Sequence, residues 1–502
     1  MIFNPKLMMI QMKKFIFSIV IAAGMVFGLS SCEGFLDRMP TDSVVSETAM
    51  ATLYDAGVVV NGLYTPLKYY TMYGSWWAYM GDMRADNIYP REVSGTGNIF
   101  YCLEYESEAN TYFSFWSNYY NVIMRANSII ENIETLPASG PTEVTQKNDY
   151  LGQAYAIRAL CYFDIARLYG YPYLKDKGAS LGAVILETVA SPSEAKIPRK
   201  TVAETYALVQ KDLETAVGLL SKQKNTGHFN YWAARLLQAR VHLYKGEYAN
   251  AYTCATEVIN SSPYRLATNE EYLDYWGKEG HDESVLELLV TVDSDIDPDG
   301  GFYTIYHNMW FDDKNAGGSV IPTLKWRNLF KDTPNDVRGQ MISYDDKVTG
   351  ARQTGEYWLK KFIGNKDRVY TFRRNNPRVM RITEAYLIAA EAALETNKAS
   401  DANNYLNRIR KRADPTAANV TATLDLIQLE RQKEFIGEGH RFFDVMRRGG
   451  TITRDPKDPH EYAVGSNYKQ SFSWDYEKVV LPISHNERLL YPELQQNPGY
   501  KD

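Results

Sequence analysis

Rings and amides are the chemistry this chain concentrates. Its 502 residues include 38 Tyr, 19 Phe and 9 Trp, together 13% aromatic. Three aromatic stretches fall where no helical period is visible. Tyr69, Tyr70, Tyr73, Trp76, Trp77 and Tyr79 form the first; Asn98, Phe100 and Tyr101 follow; Phe302, Tyr303, Tyr306, Asn308, Trp310 and Phe311 form the third. A tyrosine or tryptophan offers an apolar face and a polar tip, and a few placed polar groups orient a ligand in an otherwise apolar site. Sugars suit that combination, stacking C–H faces on rings while their hydroxyls bond to Asn, Asp, Arg and Tyr. The candidate ligand contacts are therefore Tyr73, Trp76, Trp77, Asn98, Tyr101, Tyr306, Asn308 and Trp310. The plainer alternative is that these rings pack loops onto helices, since large aromatics are mostly buried. The adjacent Trp76 and Trp77 argue most strongly for an exposed ring, because neighbours in an extended chain point to opposite sides.

Acid–base and metal chemistry are poorly represented. Asp295-Ile296-Asp297-Pro298-Asp299-Gly300 begins like a calcium loop, but its twelfth position is Tyr306 where a bidentate Glu is needed. Asp295, Asp297 and Asp299 form an incomplete calcium set, with a surface acidic turn as the simpler reading. No HExxH, GxSxG, phosphate-binding loop or GxGxxG in strand context is present. Glycoside hydrolysis needs two carboxylates across a cleft, which spacing alone does not reveal. The densest charged stretch carries Glu430, Glu434 and Glu438 at i,i+4, then Arg441, Asp444 and Arg447. That pattern suits a structural ion network, and His440 within it has no Cys or Ser partner pattern. The chain reads as a binder rather than an enzyme. With a net charge of −6 and no long basic run, it is no nucleic-acid-binding protein.

Helices must position the rings. Apolar periodicity predicts helices over Ala49–Pro66, Glu104–Leu136, Thr142–Tyr169, Thr201–Leu220, Tyr231–Tyr244, Tyr248–Asn260, Arg378–Glu395, Ser400–Arg412 and Leu424–Phe435. Trp116, Tyr119 and Tyr120 fall at core spacing, and Cys161 reads as a small buried hydrophobe. Residues 69–100 read as loop, and 264–375 as an irregular insertion with short β-like runs such as Val285–Thr291. Two segments resemble tetratricopeptide units, whose repeat is about 34 residues. One carries Ala239, Leu243, Gly246, Tyr248, Ala251 and Pro263; the other Ala390, Ala393, Ala402, Ile409 and Pro415. Segments 142–169 and 201–220 pair as a divergent third unit.

The N-terminus addresses the chain. Lys13-Lys14 precedes an apolar run, Phe15–Leu29, shorter than the roughly 20 residues of a spanning helix and suited to a signal peptide. Leu29-Ser30-Ser31-Cys32 resembles a bacterial lipobox, which makes Cys32 the lipidated first residue of the mature chain. Acyl chains on Cys32 are then the membrane attachment. Cys102, Cys161 and Cys254 have neither CxxC nor CxxH spacing, so they are no disulfide framework or zinc module. The expected organisation is a signal peptide over 1–31, a tether over 32–48 and one domain over 49–502. Repeat-like units lie within about 142–263 and 378–415, and ligand-loop insertions at about 69–101 and 264–375.

The lipobox followed by Phe35-Leu36-Asp37 and Pro40 resembles the start of the SusD/RagB family of Bacteroidetes outer-membrane lipoproteins. Further matches follow in the family's order: Asn61-Gly62-Leu63-Tyr64, Gly81-Asp82, Ala85-Asp86-Asn87, Trp116, Tyr119 and Ala126-Asn127. Arg158-Ala159, Tyr162-Phe163 and Leu168-Tyr169-Gly170 come next, then Leu406-Asn407, Ile409-Arg410, Glu430-Arg431, Glu434-Phe435, Gly437-Glu438-Gly439, Arg441, Asp444 and Arg447. The chain closes on Leu481-Pro482-Ile483, Glu487 and Gln496-Asn497-Pro498-Gly499-Tyr500. Tyr171-Pro172-Tyr173 departs from the family's usual Val-Pro-Leu type of turn.

The resemblance implies a mainly α-helical domain, a tetratricopeptide-like scaffold with long irregular ligand-binding insertions. It implies a cell-surface glycan-binding lipoprotein acting as a lid on a SusC-like TonB-dependent transporter, to which it hands captured oligosaccharides. In that picture the repeats face the transporter and the insertions face ligand. No cofactor is implied, and calcium stays open. A peptide-binding surface lipoprotein of the same architecture is the main alternative, and a surface glycosidase a more remote one.

Overall fold

Caps and close approaches decide where the helices begin and how they pair. The computed structural model describes residues 50–90, 96–106, 115–191, 193–291, 320–349, 354–362, 364, 375–455, 458 and 469–501. Its principal helices are α1 (Leu53–Leu67), α2 (Trp76–Met83), α3 (Thr96–Cys102), α4 (Phe115–Ile133), α5 (Gly140–Tyr169), α6 (Val202–Leu219), α7 (Tyr231–Lys245), α8 (Tyr248–Ser261), α9 (Ile382–Glu395), α10 (Ala399–Ala413), α11 (Leu424–Glu434) and α12 (Arg441–Met446). Reciprocal capping boxes start α1 at Thr52 and α6 at Thr201, each satisfying otherwise orphaned backbone donors. Asn230 caps α7 through its side chain. Gly246, at φ 78°, ends α7 in the left-handed conformation that glycine adopts without penalty and turns the chain into α8.

From α4 to α10 each helix packs on the next, giving a continuous helical stack. Small residues make the close contacts: Ala239, Ala251, Ala390, Ala393 and Ala402 are all fully buried. A Cβ on Gly152 of α5 would lie 2.8 Å from Leu220 at the end of α6. The repeat-like segments are therefore helix hairpins of one scaffold, and 142–169 does pair with 201–220. Trp116 and Tyr119 are buried core, as their spacing predicts, and Tyr120 is half-buried. Cys102, Cys161 and Cys254 are buried thiols. Among the described residues no helix is long and apolar enough to cross a membrane.

Two-stranded antiparallel sheets fasten the excursions. The strands are β1 (Ile88–Pro90), β2 (Ser284–Glu287), β3 (Val320–Pro322), β4 (Ile342–Thr349), β5 (Thr354–Leu359), β6 (Arg378–Arg381), β7 (Thr451–Thr453) and β8 (Ser471–Ser473). β1 pairs with β3, β4 with β5 and β7 with β8, while β2 pairs with β6 through a bulged register. The β2–β6 pair closes the base of the insertion between α8 and α9. It also corrects one sequence boundary, since Arg378–Arg381 is strand and the helix starts at Ile382. Backbone pairing to β2 overrides the helical period there. The stretch 69–100 is likewise more ordered than a loop. It holds a single wide turn, Tyr70–Gly74, then α2, β1 and the start of α3.

A buried charge network joins these parts. Glu434, at the end of α11, is fully buried and pairs with Arg381 at 3.0 Å, Arg412 at 2.8 Å and Arg338 at 3.3 Å. Arg381 also meets Glu283 at 2.6 Å and Glu438 at 2.8 Å. Arg338 meets Asp336 and Glu430, both at 2.7 Å. Burial alone would raise the Glu434 carboxyl, yet Arg412, Arg381, Arg338 and Lys361 outweigh it and hold the group far below the usual carboxylate range. The acids of 430–447 thus form the ion network their spacing suggests, but the arginine partners of Glu434 and Glu438 come from distant segments, while Asp444 pairs within the stretch. Arg447 of this stretch binds Glu391 of α9 at 2.6 Å, and Arg431 binds Asp444 at 2.8 Å.

Removing one charge from such a network leaves others buried without compensation. Glu434→Gln is expected to destabilise the protein by about 3–5 kcal/mol, read as a lower urea midpoint. A change within about 0.5 kcal/mol would show that the surrounding arginines are satisfied without it.

Candidate functional site

The ring-bearing helix α2 is held by a clasp between two motifs far apart in sequence. At Gly81 the backbone lies so close to the 437–439 turn that a Cβ would sit 2.3 Å from the Gly439 carbonyl oxygen. The Asp82 carboxylate accepts the Gly437 N–H at 2.5 Å. Asp86 takes Arg441 at 2.7 Å and Lys325 at 2.7 Å, and Asn87 accepts from the Gln432 amide at 2.8 Å. Gly81-Asp82 and Ala85-Asp86-Asn87 therefore dock onto Gln432–Arg441. Burial dominates at Asp82, whose second carboxylate oxygen has no hydrogen-bond partner among the described residues, and pushes its carboxyl up to about 8. At Asp86 the nearby Arg441 and Lys325 outweigh burial and hold the carboxyl well below its ordinary value. His440 is stacked on Phe435 at 4.4 Å, and burial keeps its ring neutral.

This clasp sorts the rings into interior and surface. Four of the candidate contacts named from sequence are corrected to interior positions. Trp77 is 6% exposed, stacked on Phe443 at 5.3 Å, with the Arg167 guanidinium 4.6 Å from its ring centre. Tyr73 is buried and donates its hydroxyl to Asp164, which also accepts from Tyr119 at 3.0 Å. Tyr101 is fully buried with the Arg454 guanidinium 3.8 Å from its ring centre. Asn98 is buried and accepts from Cys102. The physical reason is the unexpected order of this stretch: on a helix, successive side chains diverge by about 100°, and only the outer side of α2 is free. Tyr73, Trp77 and His440 do border a cavity, but its ≈ 20 Å³ holds about one water.

Trp76 falls on the outer side and is half-buried. It meets Tyr70 edge-on at 5.6 Å and Phe100 at 6.4 Å. Tyr69, 46% exposed, begins the wide turn, and Gly74 closes it by donating to the Tyr69 carbonyl at 3.0 Å. Asn118 of α4 donates to the Thr71 hydroxyl at 2.9 Å. The result is an aromatic ledge of Tyr69, Tyr70 and Trp76 edged by a hydroxyl and an amide. Sequence spacing does not favour Tyr69 and Tyr70 over Tyr73; the turn does, by facing Tyr73 inward. Asn118 carries no signal in sequence, because it lies on a helix whose other face is core.

Tyr306, Asn308 and Trp310 lie outside the described residues, as do Cys32 and the acidic run of Asp295, Asp297 and Asp299. The register pairs Pro90 with Val320, so segments 91–95 and 292–319 attach to the same end of the β1–β3 sheet. Among the described residues no group of three His, Cys, Asp or Glu side chains could hold a metal ion.

Comparison with known proteins fits this geometry. The family model described as "SusD family" matches residues 300–500, and one described as "Starch-binding associating with outer membrane" matches 34–243. A crystal structure of a SusD superfamily protein from Bacteroides vulgatus is 34% identical with a TM-score of 0.81, covering 90% of this chain and 100% of that one. The chain belongs to the SusD family. A second superfamily structure, from Bacteroides thetaiotaomicron, is 33% identical with a TM-score of 0.81 over 89% of this chain and 100% of its own. The SusD-like protein P38 of Formosa agariphila is 26% identical over 97% of this chain and 100% of that relative. The helical scaffold expected of the family is the one observed, and Gly81-Asp82 and Gly437-Glu438-Gly439 of this chain are the two halves of the clasp.

The clasp has a pH signature. A carboxyl whose folded value is raised to about 8 keeps its proton when folded and releases it when unfolded, between about pH 4 and 8. Its contribution to stability is fully present below about pH 4 and is lost as pH rises toward 8. Asp82→Asn retains an acceptor for Gly437 and abolishes this titration. Urea midpoints at pH 5 and pH 8.5 should fall less between the two for the variant than for wild type; parallel falls would refute the assignment.

Proposed function

We propose that this SusD family protein is a cell-surface glycan-binding lipoprotein that captures oligosaccharides without cleaving them and passes them to a SusC-like TonB-dependent transporter. The observation that carries the reading is the ledge of Tyr69, Tyr70 and Trp76 on a member of a family whose matching model is named for starch binding. Rings at about right angles and a neighbouring amide suit a sugar, which gives C–H groups to the ring faces and hydroxyls to Asn118 and Thr71. Tyr306, Asn308 and Trp310 are proposed to complete the ligand surface from the segment entering β3 at the Pro90–Val320 end. Tyr73, Trp77, Asn98 and Tyr101 support that surface from beneath. The carboxylates of the 430–447 stretch face guanidinium groups in the interior, which leaves them no role in hydrolysis. Attachment is through lipid on Cys32, with 32–48 as tether.

Calorimetry with the protein truncated after Cys32 tests the binding reading. Trp76→Ala is expected to weaken binding of a matched oligosaccharide by about 2 kcal/mol, roughly thirtyfold, with unchanged circular dichroism. Peptide binding without any glycan signal would overturn the reading, and so would glycan turnover.

Full-length Cys32→Ala should move from the outer-membrane fraction to the soluble fraction. Retention in the membrane would refute the lipid anchor.

A further inference from the structure

A second aromatic surface lies on the β4–β5 hairpin, and its chemistry differs from that of the ledge. Tyr344 of β4 is directly opposite Tyr357 of β5, on one face of the hairpin. Their ring centres are 4.7 Å apart, and Tyr344 is 53% exposed. The guanidinium of Arg327 sits 3.6 Å from the centre of the Tyr357 ring. Stacking of this kind leaves the edge of the guanidinium, with its N–H donors, free to point elsewhere.

Arg327 differs from the arginines of the charge network by what it lacks. Arg338, Arg381, Arg412, Arg441 and Arg447 all face carboxylates at 3.3 Å or less. Arg327 is half-buried, yet among the described residues its guanidinium pairs with no carboxylate and its buried Nε has no hydrogen-bond partner. A partly desolvated cation without a counter-charge gains from an anionic partner. Its position is also fixed. Arg327 lies on the short helix Leu324–Asn328, capped by the Thr323 hydroxyl, which accepts from the Trp326 amide. Lys325 is tied to Asp86, and Trp326 is fully buried, its indole donating to the Gln432 carbonyl. The arginine is thus preorganised by the same clasp that holds α2.

We propose that Tyr344, Tyr357 and Arg327 form a distinct subsite for an acidic sugar, one bearing a uronate carboxylate or a sulfate ester. The sugar ring lies on Tyr344, and its anionic group takes the N–H edge of Arg327 in a charge-assisted contact. A neutral sugar would leave that guanidinium unsatisfied. The inference rests on the glycan-binding reading above and adds a substrate class to it.

The test is calorimetry of the soluble mature protein against an oligogalacturonate, a sulfated galactan oligosaccharide and a neutral laminari-oligosaccharide, at low and high NaCl. At least one acidic probe is expected to bind more tightly than the neutral one, with affinity falling as salt rises. Arg327→Gln and Tyr344→Ala should each weaken that binding about tenfold or more, and Tyr344→Phe should not. Trp76→Ala should leave the Arg327 dependence in place. Tyr344 is solvent-exposed, so Tyr344→Ala reports on binding even if loss of the Arg327 stack disturbs the hairpin. Which acidic probe responds to Arg327→Gln distinguishes carboxylate from sulfate. Acidic probes bound no better than neutral, or bound equally by both variants, overturn the subsite while neutral glycan binding keeps the broader function. Absence of all glycan binding overturns both.

Discussion

One interior set of charges governs how this chain closes on itself. Glu434 is surrounded by Arg338, Arg381 and Arg412, three residues from three different segments. Arg338 belongs to the insertion, Arg381 to the strand that ends it, and Arg412 to the end of the last repeat-like hairpin. Hydrophobic contact is non-directional and could not by itself specify which segment lies where. Buried ions demand particular partners, since each one left unpaired costs several kcal/mol. The network therefore acts as an address system, fixing the insertion and the C-terminal third on the helical stack.

The clasp extends the same logic to the functional surface. Gly81 brings two backbones together where no side chain fits, and Asp82, Asp86 and Asn87 convert that approach into directed bonds. With α2 fixed, Trp77 has only the interior to occupy and Trp76 only the edge. The Asp86 pair with Lys325 carries this rigidity across to the helix of Arg327. A ligand meeting these rings meets side chains already oriented, so little binding energy is lost to ordering them.

Much of the scaffold was legible in sequence because helical period and small-residue spacing are local signals. α5, α6, α7, α8 and α10 begin and end within a few residues of the boundaries their patterns predict. The family motifs were legible too, although their meaning was not. Nothing in Gly81-Asp82 indicates Gly437 as a partner, because that contact is made only when distant chain segments meet. The reverse holds for the rings. Tyr69, Tyr73, Trp76 and Trp77 are equivalent as residue types, and their division into surface and core follows from a wide turn and a short helix in a stretch with no clear period. Arg327 was invisible for a related reason: an arginine that pairs with no carboxylate among the described residues can be recognised only once its neighbours in space are known.

The β2–β6 pair has an evolutionary corollary. By joining the two ends of the insertion at its base, it brings the residues that anchor the insertion to the scaffold, Arg338 and Lys325 among them, within reach of their partners whatever the length of the connections between them. The entropy of closing a loop grows only logarithmically, and doubling its length adds about 0.6 kcal/mol. Connections between those anchor points can therefore change length at little expense to folding, whereas the anchors themselves are held by the same constraint as the helical stack.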